Sequence, residues 1–533
     1  MRDAPLPSTR AHPRRLDWVL LMILGLALLR GGVYASYLPP WGLVDEEQHL
    51  DYIESLAVKG AIPVVGQTYL SPDIVASLFA TRRWEVFHWP SPPSRAPESM
   101  GLEGHSYEGY QPPLAYLVLV PLYWLLPGDI LLKLAGLRWA LVLLSLLTVW
   151  VAYRLTAELL PEARWLPPAV ALLLVLLPER TMAVSRLNND VLLEVIAAGF
   201  VWVLTRAWLH GLTVRRAQWL GLLLGLGVLT KTSMLVVAVL LPLLFWSKRR
   251  DAQFWRCLMW TAGLALALVL PLAARNLWLY GDLTGFAGFE KIAGFQPRPV
   301  TGSSLLSAAV DLFRYTWVIW WQGAAVGTNP ILRVFYICLL ALTGISLFGL
   351  GRGFWPSRRQ RALDPARQVM LAYAALTGCC ALSVVAAYFT GAVPVIQGRF
   401  LLPVIVPLLV LFGWGLLSSG RWGPLAVLGA AVVLLLTDAL SLFGNLLPYY
   451  YYWSAFAGTA ASPLPMPHAW PEAWALFYSR FLADKPAGLR PILWLLLPLN
   501  GAWLAASIVL LVKAKSPSGP WSGWKALADQ SSG

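Results

Sequence analysis

Charge is scarce in this 533-residue chain: Asp, Glu, Lys and Arg make up 13% of it, against about 25% in soluble domains. With 58% hydrophobic residues, that scarcity excludes one large water-soluble domain. Cysteine is nearly missing too. The four present, Cys257, Cys338, Cys379 and Cys380, all lie inside apolar runs, which excludes a disulfide framework and a cysteine zinc site. No long basic block occurs, so the net charge of +14 argues for Lys and Arg in cytoplasmic loops and against nucleic acid as a partner. No internal repeat is evident, nor an inverted repeat of the transporter kind.

What fills the chain instead is a series of apolar runs long enough to cross a bilayer, about twelve at roughly 20 residues each. They fall near 16–37, 131–153, 165–179, 191–209, 217–230, 232–246, 257–280, 330–350, 368–390, 400–417, 423–443 and 491–512. The fold class is therefore all-α and polytopic. The first run mimics a signal peptide in its basic flank and apolar core, but no soluble domain follows it, and a retained helix is expected. The stretch "QPPLAYLVLVPLYWLLPG" (111–128) is short and proline-rich. It reads as an interfacial or re-entrant helix.

Leaving that stretch out of the span count, the loops on one side carry Arg14, Arg15, Arg215, Arg216, the run "SKRRDAQFWR" and Arg421. This predicts that both termini are cytoplasmic in the inner membrane. The opposite side receives long external loops at 38–130, 281–329 and 444–490, and the first of these is acidic. Residues 1–512 form one transmembrane unit, and 513–533 is a disordered cytoplasmic tail. "PYYYYWSAF" and "MPHAWPEAWALFYSRF" in the last external loop suit an aromatic belt at headgroup depth. A lid that stacks on a sugar is the other reading.

Just beyond the first apolar run stand Asp45, Glu46, Glu47 and His49. Asp45 and Gln48 have the spacing of a capping box, which accounts for some of the acidity but not for the histidine. Asp45 and His49 share a helix face one turn apart, beside an apolar stripe of Leu50, Ile53 and Ala57. An amphipathic helix lying on the outer surface is expected. Other polar residues fall at the same ends of later runs: Arg186, Asn188, Asn189 and Asp190 in "SRLNND", Lys231 in "GLGVLTKTS", Arg275 in "ARNLWLYGD" and Arg399 in "QGRFLLP". Each alone reads as a cap or a snorkelling cation. Together they suit a substrate with a phosphate at the surface and a lipid tail in the bilayer. Cations would stabilise the leaving phosphate, and a carboxylate would take a proton from an incoming hydroxyl.

The order of "DEEQHLDY", "YQPPLAYLVLVPLYWL", "SRLNND", "GLGVLTKTS", "ARNLWLYGD" and "QGRFLLP" resembles bacterial membrane glycosyltransferases of the GT-C fold. The family in question is related to protein O-mannosyltransferases and lipid A aminoarabinose transferase. The resemblance covers roughly residues 15–445. It implies a polyprenyl-phosphate-linked sugar donor and a hydroxyl acceptor on a glycolipid, envelope glycan or protein. It also implies a catalytic base at Asp45 or Glu46; Val44 stands where relatives often carry proline, and the choice between the two stays open. Lys231 and Arg399 would contact phosphate, with His49, Arg186, Asn189, Asp190 and Arg275 around the substrate. Some GT-C enzymes use a divalent metal, and Asp45, His49 and Asp190 offer hard ligands for magnesium or manganese. The rival readings are a transporter or flippase for a lipid-linked sugar, with Arg30, Glu194 and Asp438 as its intramembrane charges, and a non-catalytic envelope-assembly protein.

Overall fold

The computed structural model describes residues 18–42, 45–86, 91–318, 330–354, 364–451, 478–479, 481–483 and 485–513. Most of the expected aromatic lid or belt (452–477) and the expected disordered tail (514–533) lie outside these residues. The described chain is helical, and its extended pairing is limited to an isolated antiparallel bridge between Tyr69 and His105.

The apolar runs fold as helices because each backbone N–H and C=O can then be met within its own segment. Among the described residues, nine helices are long and apolar enough to cross a membrane. They are Trp18–Tyr37, Ile130–Leu159, Asp190–His210, Phe254–Tyr280, Leu332–Phe354, Pro365–Phe389, Gly398–Ser418, Gly423–Ser441 and Ala487–Ala506. The chain is a multi-pass membrane protein.

Three of the expected runs behave differently. The run at 165–179 becomes Leu166–Leu176 and Pro178–Val184, bent by 67°. Proline clashes with a helical predecessor, and Leu177 is accordingly extended, with ψ 112°. If this pair counts as one span, the total is ten. The run at 217–230 lies within the 17-residue helix Val214–Thr230, which is not among the nine, and the run at 232–246 divides into Met234–Val237 and Leu240–Ser247, with Lys231 extended between the two runs. The stretch at 111–128 forms the 12-residue helix Leu114–Leu125, about 18 Å at 1.5 Å per residue and too short to span.

Inside a bilayer, helices associate by close packing more than by expulsion of water. Gly221 and Gly225 form a small-residue stripe on Val214–Thr230 that meets Phe254–Tyr280. A Cβ at Gly221 would lie 2.5 Å from the Thr261 carbonyl oxygen, and one at Gly225 would lie 2.7 Å from Leu268. Thr261 donates to the Ala217 carbonyl at 3.0 Å across the same contact.

A second apolar core holds the first long loop onto the helices. Trp41, Leu50, Ile53, Leu70, Ile74 and Leu78 pack with Tyr116 and Leu119, and against Leu134 and Leu137 of Ile130–Leu159. The helix Glu46–Glu54 is therefore enclosed, with eight of its nine residues buried. This corrects the expectation of a surface-lying amphipathic helix: its polar side faces protein groups, not lipid headgroups. Backbone carbonyls of Tyr37, Leu38 and Pro39, in the connector that leads to residue 45, are also met individually, as buried polar groups must be. Arg138 donates to Leu38 and Pro39 at 3.2 and 2.9 Å, Tyr451 to Tyr37 at 2.9 Å, and Lys485 to Leu38 at 2.6 Å. These contacts set where residue 45 falls.

Candidate active site

The three consecutive carboxylates meet three different fates. Asp45 has φ 70°, in the left-handed region that costs a non-glycine residue of order 1 kcal/mol or more. Its side chain makes no cap to the following helix, so the expected capping box is absent; Gln48 instead donates to the Glu103 carbonyl at 2.8 Å. Asp45 accepts from the Tyr107 hydroxyl at 2.5 Å and lies 3.4 Å from an Arg399 guanidinium nitrogen. Glu46 is fully buried in a fork with Arg138 and accepts from the Leu187 N–H at 3.0 Å. Glu47 pairs with Arg83 at 2.6 Å.

A cavity of about 570 Å³ opens beside Asp45. Six of the expected site residues line it: Asp45, His49, Asn189, Asp190, Lys231 and Arg399. They come from four separate parts of the chain. Asp190 opens its helix because Asn188 accepts from the Asp190 N–H at 2.8 Å. It pairs with Lys231 at 2.5 Å and stands 3.8 Å from Arg399. Lys231 reaches the cavity because the chain is extended there between two short helices. Arg399 is fixed through its backbone N–H, which donates to Glu179 at 3.2 Å.

Glu46, Arg186 and Arg275 do not line the cavity. For Glu46 this is a correction to its candidacy as the base: both oxygens are committed to Arg138. Arg275 donates to the Pro63 carbonyl at 3.1 Å and to Asn276 at 3.2 Å, which makes it a brace for the loop. Arg186 is buried behind the cluster, and burial together with the charge of Arg399 pulls its guanidinium down to about 10.

Burial raises the cost of ionising Asp45, yet the positive charge of Arg399 and the Tyr107 hydrogen bond outweigh it and hold the carboxyl below its ordinary value. Burial, helped by Lys231 and Arg399, pushes His49 down to about 3. Its imidazole is therefore neutral, with Nδ1 2.9 Å from the Tyr116 hydroxyl.

Glu108 is the residue that sequence reasoning missed. It lines the cavity, is 7% exposed, and its Oε2 has no hydrogen-bond partner. Burial and the neighbouring Asp45 raise its carboxyl to about 8. In the sequence it is one of many acids in an acidic loop, and no local signal separates it from the others. One ligand atom from each of Asp45, His49 and Glu108 can be chosen so that all lie within 4.8 Å of one another. Two of these, Asp45 and His49, belong to the expected metal set, while its third member, Asp190, pairs with Lys231. The aromatic wall was missed as well. Tyr107 meets Phe289, Tyr110 meets Phe286 and stacks on Phe289 at 5.0 Å, and Phe295 packs on Phe289.

The charges inside the helical body are paired elsewhere. Arg30 meets Asp438 at 2.6 Å, and Arg180 meets Glu194 at 2.6 Å. The three residues expected to serve a transporter are thus locked in internal ion pairs.

No curated protein matches the chain. It is similar in structure to ArnT from Cupriavidus metallidurans bound to undecaprenyl phosphate, at 14% identity and TM-score 0.49, over 92% of this chain and 75% of that one. It is also similar to the apo state of ArnT, at 13% identity and TM-score 0.44, over 88% and 76%. The family profile described as dolichyl-phosphate-mannose-protein mannosyltransferase matches residues 112–274, less than half of the chain. Over that stretch, which contributes Asn189, Asp190 and Lys231 to the cavity, the chain is similar to this family of membrane mannosyltransferases.

Proposed function

We propose that the chain is a GT-C-type membrane glycosyltransferase that takes a sugar from a polyprenyl-phosphate carrier and passes it to a hydroxyl. The observation that carries this reading is a carboxylate and two cations on one cavity wall: Asp45 lies 3.4 Å from Arg399, and Lys231 lines the same cavity. The match of residues 112–274 to a family named for a lipid-phosphate sugar donor supports it.

The acceptor oxygen attacks the anomeric carbon while Asp45 takes its proton. The bond from that carbon to the phosphate oxygen breaks, and the phosphate leaves with added negative charge. Lys231 and Arg399 stabilise that charge, where preorganised cations in a partly dehydrated cavity act most strongly. Asp190 holds both cations until the phosphate arrives. His49 and Asn189, both near the Tyr116 hydroxyl, orient the sugar or acceptor. The cavity faces the extracytoplasmic side, a reading supported by the basic loops at the opposite helix ends.

Mass spectrometry of lipids that co-purify with the detergent-solubilised protein tests this. Wild type is expected to retain a polyprenyl phosphate or its sugar adduct, and a Lys231→Ala/Arg399→Ala variant to lose it. Bulk phospholipid alone in both samples would overturn the donor assignment.

A further inference from the structure

The cavity has an uneven charge count. Asp45, Glu108 and Asp190 line it against Lys231 and Arg399. Asp190 takes Lys231 at 2.5 Å, and Arg399 lies between Asp45 at 3.4 Å and Asp190 at 3.8 Å. Glu108 is left over. Its side chain is more than nine-tenths buried, it faces the cavity, and Oε2 has no partner. Buried polar atoms are rarely left unmet, and an unmatched one calls for an ion or other ligand.

We propose that Asp45, His49 and Glu108 bind a divalent cation at the polar end of the cavity. One ligand atom from each lies within 4.8 Å of the others. At metal–ligand distances of about 2.0–2.6 Å, a single ion reaches all three with small side-chain adjustments. With Glu108 ionised, two carboxylates balance a 2+ charge. The neutral donor is an imidazole already held in place, since Tyr116 occupies Nδ1 at 2.9 Å and leaves Nε2 for the ion. Such outer hydrogen bonds orient metal ligands. Tyr107 does the same for Asp45 at 2.5 Å, and the same turn, Tyr107–Tyr110, carries Glu108. Oxygen-rich ligation with one imidazole favours manganese or magnesium. Each carboxylate oxygen has two lone pairs, so Asp45 can keep its hydrogen bonds while it ligates. Because all three residues line the cavity, a substrate oxygen could reach an ion held between them.

This site stands or falls separately from sugar transfer. The test is Mn2+ titration of chelator-stripped full-length protein in detergent, followed by the EPR signal of free Mn2+. Wild type is expected to bind one Mn2+. His49→Ala and the isosteric Glu108→Gln should each weaken binding at least about tenfold, while Glu98→Ala, an exposed acid of the same loop, should not. No stoichiometric binding by wild type, or binding unchanged in both His49→Ala and Glu108→Gln, would overturn the site. Transfer at full rate in excess EDTA without Mn2+ binding would defeat the cation site alone. Mn2+ binding without any sugar transfer would defeat the transferase reading alone.

Discussion

Asp45 and Glu46 are neighbours with opposite surroundings. Glu46 belongs to a set of sealed ion pairs, with Arg138–Glu46, Arg180–Glu194 and Arg30–Asp438 all buried. Asp45 belongs to an open cluster in which the cations are shared and Glu108 is left unmet. Sealed pairs hold segments in register and offer nothing to a ligand. The open cluster lines the cavity, as expected of groups that must exchange protein partners for substrate. The comparison separates charge that builds the fold from charge available for chemistry.

The largest expected effect falls on the open side. Asp45→Asn should lower transfer by about 10²–10⁴-fold, the range for a lost general base, while its melting temperature stays close to wild type. A folded variant with normal turnover would remove Asp45 from the reaction. On the sealed side the order reverses. Glu46→Ala leaves Arg138 buried without its carboxylate and should cost about 3–5 kcal/mol of stability, seen as a lower melting temperature or loss of protein from the membrane. If Glu46→Ala were instead stable and inactive, the assignment of the two neighbours would be exchanged.

Lys231→Ala and Arg399→Ala should each weaken donor binding by about 1.5–3 kcal/mol, the contribution of a hydrogen bond to a charged group, read as a raised KM for the lipid-linked sugar, together with a lower kcat from the lost stabilisation of the leaving phosphate. Gly225→Leu should destabilise the protein by about 1–3 kcal/mol through overpacking against Leu268, read as a lower melting temperature. The smallest effect is expected for the exposed pair Arg206–Glu158. Its removal by Arg206→Gln should change stability by less than about 1 kcal/mol.

Much of the helical layout was legible because hydropathy alone reveals segments that must satisfy their own backbone. The clearest departure has a local cause: Pro178 bends the run at 165–179. The site was legible in part. Lys231, Asp190 and Arg399 stand out as charges at the ends of apolar runs, where charge is costly enough to be conspicuous. Glu46 could not be told from Asp45, because Arg138, which silences it, lies 92 positions away in the chain. Glu108 and the aromatic wall gave no signal either, since a long acidic, aromatic loop offers many equivalent residues.

Length, apolar runs and the positions of isolated charges determined that this is a multi-pass helical protein with polar residues gathered at certain helix ends. Those properties are local, since each run meets the bilayer and satisfies its own hydrogen bonds. Only the tertiary structure decided which carboxylate is open, which is sealed and which has no partner. A charge takes its role from the groups that approach it, and here they come from distant helices.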